Sequence, residues 1–66
     1  MRRTRRSREE IRVDDKHVIV IADCGDYGIE IGLFKGKSLK LIDQNVVKTL
    51  EHAQEIASNW IMKIIA

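Results

Sequence analysis

The chain has 66 residues, with 12 Lys and Arg against 10 Asp and Glu, a formal net charge of +2 and one cysteine. A chain of this length forms one small domain, and a single cysteine excludes an internal disulfide. Cys24, His17 and His52 are isolated from one another, so a structural zinc site is not expected. We therefore expect one domain over residues 1–66 that binds no cofactor and gains part of its stability from oligomerisation.

Positive charge is concentrated at the N-terminus. The first 12 residues contain six arginines and only two acidic residues, Glu9 and Glu10, whereas the rest of the chain has a net negative charge. Such a segment is either a solvated basic tail or a surface for a polyanion, because arginine binds phosphate in a bidentate way and stacks on bases. We find no apolar segment of about 20 residues and no signal peptide, so we expect a cytoplasmic protein without a membrane partner.

Alternating apolar residues predict the strands. The first clear one is 9–13, with Ile11 and Val13 inward, and 17–21 is rich in β-branched residues. The glycines and aspartates of 23–28 predict a hairpin loop of roughly 3–6 residues, which leads into the alternating strand 29–33. A basic loop, Lys35-Gly36-Lys37, separates this strand from another at 39–42.

A long helix is predicted to follow. Asp43 and Asn45 can cap its first turn, and the apolar stripe indicates that it runs from about Gln44 to Ile65. The stripe comprises Val46, Leu50, Ala53, Ala57, Trp60, Ile61 and Ile64. At 22 residues the helix would be about 33 Å long, more than so small a chain can cover, so the pattern predicts a partner chain over it.

The predicted fold class is mainly β with a C-terminal α-helix. Five short antiparallel strands, counting an extended arginine-rich opening segment, occupy residues 1–43, and the long helix occupies residues 44–65. The small core and the surplus of strand edges favour an interlocked, strand-exchanged homodimer, because pairing removes exposed edges.

The motifs and their spacing resemble the carbon storage regulator family, the CsrA and RsmA translational regulators of bacteria. The matching residues are Thr4-Arg5-Arg6, Glu9, Ile11, Val13, Asp15, the run to Ile21, Ile29-Glu30-Ile31-Gly32-Leu33 and Lys37-x-Leu39-x-Leu41. They align without a gap over residues 4–47, about two thirds of the chain. The resemblance implies an interlocked homodimer that binds GGA motifs in messenger leaders or small RNAs and represses translation by blocking ribosome access.

The resemblance also implies an RNA site between the first strand of one protomer and the last strand of the other. By position, that site contains Thr4, Arg5, Arg6, Lys35, Gly36, Lys37, Leu41, Ile42 and Asp43. Asp43 stands where the family has a functional arginine, and a carboxylate repels phosphate. Arg2, Arg3 and Arg8 supply further positive charge, so we predict that they take part in RNA binding.

Two other functions stay open. The chain could be an interaction protein of the same fold that has lost GGA recognition and binds a protein partner through Trp60, Ile61 and Ile64. It could also be a basic DNA-binding module. Asp43 favours the interaction protein, whereas the arginines favour RNA. An enzyme is not expected, because neighbouring carboxylates such as Glu9 and Glu10 point apart and no third group orients Cys24 and His17.

Overall fold

The computed structural model describes residues 8–66, which form one antiparallel sheet and one helix. The strands are β1 (Arg8–Arg12), β2 (His17–Asp23), β3 (Ile29–Lys35) and β4 (Lys40–Val47), followed by α1 (Leu50–Ile65). The strands lie side by side in the order β1-β2-β3-β4. A mainly β chain with a C-terminal helix is therefore confirmed. The predicted opening strand lies outside the described residues, and strand exchange stays a prediction.

The β2–β3 hairpin forms where the sequence predicts it. Ile21 pairs with Ile31 across the two strands, and a 3₁₀ turn at Gly25–Tyr27 closes the loop. The loop ends at Gly28, whose φ of 107° is available to glycine but strained for other residues. A Cβ atom there would also lie 2.6 Å from the carbonyl oxygen of Val47. Glycine at this position therefore lets the loop pass close to the end of β4.

One face of the sheet, the covered face, packs against the helix. The buried residues of this core are Ile19, Ile21, Ile31, Leu33, Val47, Ala53, Ala57 and Trp60. Ile11, Val13, Ile61 and Ile64 are partly buried and pack around them. The β-branched residues of the strands and the small alanines of the helix let the two layers approach closely. The alternation of strand 29–33 thus places Ile31 and Leu33 in the core, and Trp60 of the apolar stripe is buried with them.

The predicted start of the helix is wrong by six residues. Asp43, Gln44 and Asn45 belong to β4, and the N-cap is Thr49, whose Oγ1 accepts a hydrogen bond from the His52 N–H at 3.1 Å. Pairing with β3 satisfies the backbone of 40–47, which outweighs the capping preference of Asp and Asn. The β region consequently extends beyond residue 43, and Val46 is an exposed strand residue instead of a helix residue.

The shorter helix also removes the reason for expecting a partner chain over it. Its 16 residues span about 24 Å, close to the length of a seven-residue strand. The helix packs its Ala53, Ala57 and Trp60 face on the sheet of the same chain. Leu50, which the stripe placed inside, lies 49% exposed in the first turn. The sheet of the same chain therefore covers the Ala53, Ala57 and Trp60 face of the helix, and association with a partner chain stays a prediction.

Candidate nucleic-acid interface

The loop between β3 and β4 presents the predicted basic residues. Gly36 adopts a φ of 86°, and its carbonyl oxygen accepts a hydrogen bond from the Leu39 N–H at 3.0 Å, which closes the turn. The Gly36 N–H donates to the carbonyl oxygen of Lys16 at 2.8 Å. Because Lys16 lies in the β1–β2 turn, this bond fixes the two turns side by side at one end of the sheet.

Four of the six lysines of the chain gather at that end. We call Lys16, Lys35, Lys37 and Lys40 the basic end, and all four are exposed. Lys35 and Lys40 are direct cross-strand partners, so their side chains leave the same face of the sheet. Like charges in this arrangement repel each other, and a bound anion would relieve the repulsion. Within residues 8–66, none of the four lies within ion-pair distance of a carboxylate.

The two aspartates beside the basic end differ in what they bind. Oδ1 of Asp14 accepts hydrogen bonds from the N–H groups of Lys16 and His17, both at 2.8 Å, and Nδ1 of His17 lies 2.9 Å away. The Lys16 amide and the His17 side chain lower the pKa of the Asp14 carboxyl. Asp14 therefore uses its charge to shape the turn that presents Lys16, whereas Asp15 takes no part in these bonds.

The predicted residues of the last strand lie on the outer edge of the sheet. A β-bulge places Leu41 opposite Phe34 and Asp43 opposite Leu33, which leaves Ile42 as the extra residue. Leu41 and Ile42 are 45% and 50% exposed. The Leu41–Asp43 segment follows the basic loop along this edge and presents apolar side chains and one carboxylate.

Side chains of β4 also bind the backbone of their own strand. Oδ1 of Asp43 accepts the Gln44 N–H at 2.9 Å, and Oδ1 of Asn45 accepts the Val46 N–H at 3.0 Å. Alternate amides of an edge strand point away from the sheet, where a further strand or an RNA base would reach them. These two donors are occupied instead, so Asp43 both adds negative charge and reduces the number of free donors on the edge.

The structure does not bring all predicted site residues together. Arg8 begins β1 at the opposite edge of the sheet, where it pairs with Ala22 and forms an ion pair with Glu10 at 3.1 Å. It is therefore separated from the basic loop by two strands. The predicted contributions of Arg2, Arg3, Thr4, Arg5 and Arg6 lie outside the described residues.

Lys16 and Lys40 are members of the basic end that the sequence prediction missed. Lys16 precedes a predicted strand and Lys40 lies within one, but their position relative to the basic loop depends on which turns share an end of the sheet. A four-stranded meander necessarily places its first and third turns at the same end. The order of the strands, once known, would have been sufficient to find them.

The other candidate features of the sequence were a metal site, a membrane-spanning helix and a docking surface on the helix. No group of three or more metal-ligating side chains occurs within residues 8–66. The helix α1 is too short and too polar to cross a membrane. Trp60 is only 9% exposed, so the predicted protein-docking surface of Trp60, Ile61 and Ile64 faces the core of its own chain to a large extent.

Comparisons with protein-family models, with curated proteins and with solved structures found no match. The similarity to carbon storage regulators therefore rests on the motifs described above.

Proposed function

We propose that the protein binds single-stranded RNA and regulates translation in the manner of the carbon storage regulators. The observation that supports this proposal is the basic end, where two turns hold four exposed lysines together without partner carboxylates. The sequence supplies further positive charge in the arginines of its N-terminal segment. Resemblance of the motifs over residues 4–47 supports RNA as the polyanion.

Lysines at the basic end act on phosphates more than on bases. An ammonium group is a compact charge that holds a phosphate without fixing its orientation, whereas base recognition requires donors in a fixed array. If all four lysines neutralise phosphates of a single strand, the slope of log K against log salt is about −2.8 from these residues alone. We therefore expect affinity that depends strongly on salt.

A salt titration of wild type and of Lys35→Ala/Lys37→Ala tests this role of the basic end. Binding of a fluorescent GGA hairpin is followed by anisotropy, and we expect the double variant to reduce the magnitude of the slope by about 1.4. The matched control is Lys48→Ala/Lys63→Ala, which removes the same charge outside the basic end. Equal effects of the two variants, or no wild-type binding at low salt, would contradict the proposal.

Sequence selectivity is tested separately at Asp43. We expect the wild type to distinguish a GGA hairpin from a scrambled one only weakly, because the edge carries a carboxylate in place of a donor. Asp43→Arg should raise the preference for GGA by about 1–3 kcal/mol, the value of a bidentate base contact. Asp43→Asn is the control, since it removes the charge without adding a guanidinium. Strong wild-type selectivity that Asp43→Arg does not change would show that the site lies elsewhere.

A further inference from the structure

The face of the sheet opposite the helix carries apolar side chains that no described element covers. We call this surface the open face; its centre is formed by Val18, Val20, Ala22, Phe34 and Leu41. In antiparallel sheets with one solvent-exposed face, the strands alternate apolar and polar residues. Strand β2, by contrast, is apolar on both sides from Val18 to Ala22. Such a strand is typical of a sheet that is covered on both faces.

The open face has the Phe34 ring near its centre and a depression on each side of the ring. The Phe34 ring lies over Gly32, where an added Cβ atom would be 3.0 Å from its Cε1 atom. One depression, of about 110 Å³, lies between Phe34, Ala22 and Leu41, and another, of about 180 Å³, lies between Phe34, Val18 and Leu39. An interface with two-fold symmetry brings the same patch of both copies together, so the two depressions offer space for apolar side chains of a second copy.

The charged residues around the open face also favour a second copy of the chain as its partner. Arg8, Arg12, Glu10 and Glu30 leave the sheet on this side, since each pairs with Val18, Val20 or Ala22. Two positive and two negative groups balance, so a two-fold axis can bring opposite charges together across an interface. An RNA strand would gain no net attraction from this face, because the two carboxylates offset the two guanidinium groups.

We propose that a second copy of this chain packs on the open face and forms a two-layer sheet sandwich with two-fold symmetry. A four-stranded sheet of seven-residue strands has a face of roughly 400–450 Å² per chain. The total area buried by two such faces lies below the range of about 1,200–2,000 Å² for stable interfaces. We therefore expect a weak dimer with a dissociation constant in the micromolar range. This proposal does not depend on RNA binding.

Sedimentation velocity from roughly 1 to 200 μM protein tests the association. We expect the wild type to change from 7.6 kDa monomer to dimer over this range. Val20→Lys, at the centre of the open face, should remain monomeric at every concentration. Met62→Lys is the control, since Met62 is 64% exposed on the helix, and it should dimerise like the wild type. A wild type that stays monomeric throughout, or equal loss of dimer in both variants, would overturn the proposal.

A pair of charge variants tests the interface without changing its apolar centre. Arg8→Glu/Arg12→Glu makes the four charged groups negative, and Glu10→Lys/Glu30→Lys makes them positive. All four side chains are exposed, so we expect both proteins to fold, as circular dichroism can verify. Each protein alone should be monomeric, and an equal mixture should form a heterodimer. A mixture that stays monomeric would overturn the proposal.

Two further results would also count against this interface. A dimer that persists in both Val20→Lys and the charge variants would place the contact elsewhere, as strand exchange at the sheet edges would. If the wild type is monomeric but loses RNA binding on Val20→Lys, the open face is an RNA surface instead. The tests of the basic end use different residues, so either proposal can fail while the other stands.

Discussion

The two faces of the sheet are built from the same strands and similar side chains, yet they differ in burial. On the covered face, Ile19 and Ile31 are at most 1% exposed because the helix lies over them. On the open face, Val20 and Phe34 of the same strands are only half-buried. The two strands thus carry apolar side chains on both faces of the sheet, but within residues 8–66 only one of these faces is covered. Burial here is a consequence of what packs on a strand more than of which residues the strand contains.

The largest expected effect comes from removing one aromatic side chain from each face. Trp60→Ala should cost about 3–5 kcal/mol of unfolding free energy, because it leaves a cavity in the core. Phe34→Ala on the open face should cost less, about 1–2 kcal/mol when the protein is dilute, since the ring is only partly buried. Urea unfolding at low micromolar concentration measures both. Tyr27→Ala, at an 84% exposed residue, is the control and should change little.

Equal losses at Trp60 and Phe34 in dilute protein would mean that the open face is already covered within one chain. A loss at Phe34 that grows with protein concentration would instead agree with a second copy on that face. The concentration dependence therefore separates packing within the chain from packing between chains.

Much of the fold could be predicted because the β2–β3 hairpin is specified locally. Period-two alternation gives the inward direction of Ile31 and Leu33, and the glycines of 23–28 give the loop. The helix start could not be located in the same way, since Asp43 and Asn45 suit a helix cap and also a strand edge where they bind their own backbone. Only pairing with β3 decides between the two conformations.

The part of the candidate site that could be predicted from the sequence consists of residues adjacent in the chain. Lys35, Gly36 and Lys37 form one loop, so their proximity needs no knowledge of the fold. Lys16 joins them only through a bond between two turns that are 20 residues apart in sequence. A cluster that depends on the arrangement of turns becomes visible only when the order of the strands is known.

A second prediction concerns the backbone that holds β4 and the helix over the covered face. Gly28→Ala adds a Cβ atom against the Val47 carbonyl and also forces alanine into a backbone conformation (φ 107°, ψ −155°) that is essentially restricted to glycine, which alone costs about 1–3 kcal/mol. Gly25→Ala is a matched control, because Gly25 also has a positive φ of 68° but has open space around the added atom. Urea unfolding should therefore show a larger loss for Gly28→Ala, and an equal loss would show that the loop relaxes without cost.

A third and smaller effect is expected at the start of the helix that covers one face. Thr49→Ala removes the side-chain oxygen that accepts the His52 N–H, and such changes cost about 1 kcal/mol. Thr49→Ser keeps the oxygen and should retain most of the stability. Thermal unfolding followed by circular dichroism compares the two variants. If both variants lose the same stability, the methyl group of Thr49 matters more than its hydroxyl.

The smallest effect is predicted at Asp14, outside both faces. Its pKa is lowered in the folded protein by the Lys16 amide and then by the His17 side chain, so its charged form is favoured by folding. This contribution is present above the unfolded pKa of about 3.9 and is lost as the pH falls through the lower folded value. Asp14→Asn should therefore be less stable than wild type at neutral pH, and the difference should shrink below about pH 4.

Chemical unfolding of both proteins at a series of pH values measures that difference. Asp15→Asn is the control, because it removes a neighbouring carboxylate that accepts none of the turn hydrogen bonds. We expect the stability of this variant to stay close to that of the wild type at neutral pH. A difference between wild type and Asp14→Asn that stays constant down to about pH 2 would contradict the charge-dependent role of Asp14. In that case the amide oxygen of asparagine would replace the carboxylate in the turn, and the basic end would keep its shape without the negative charge.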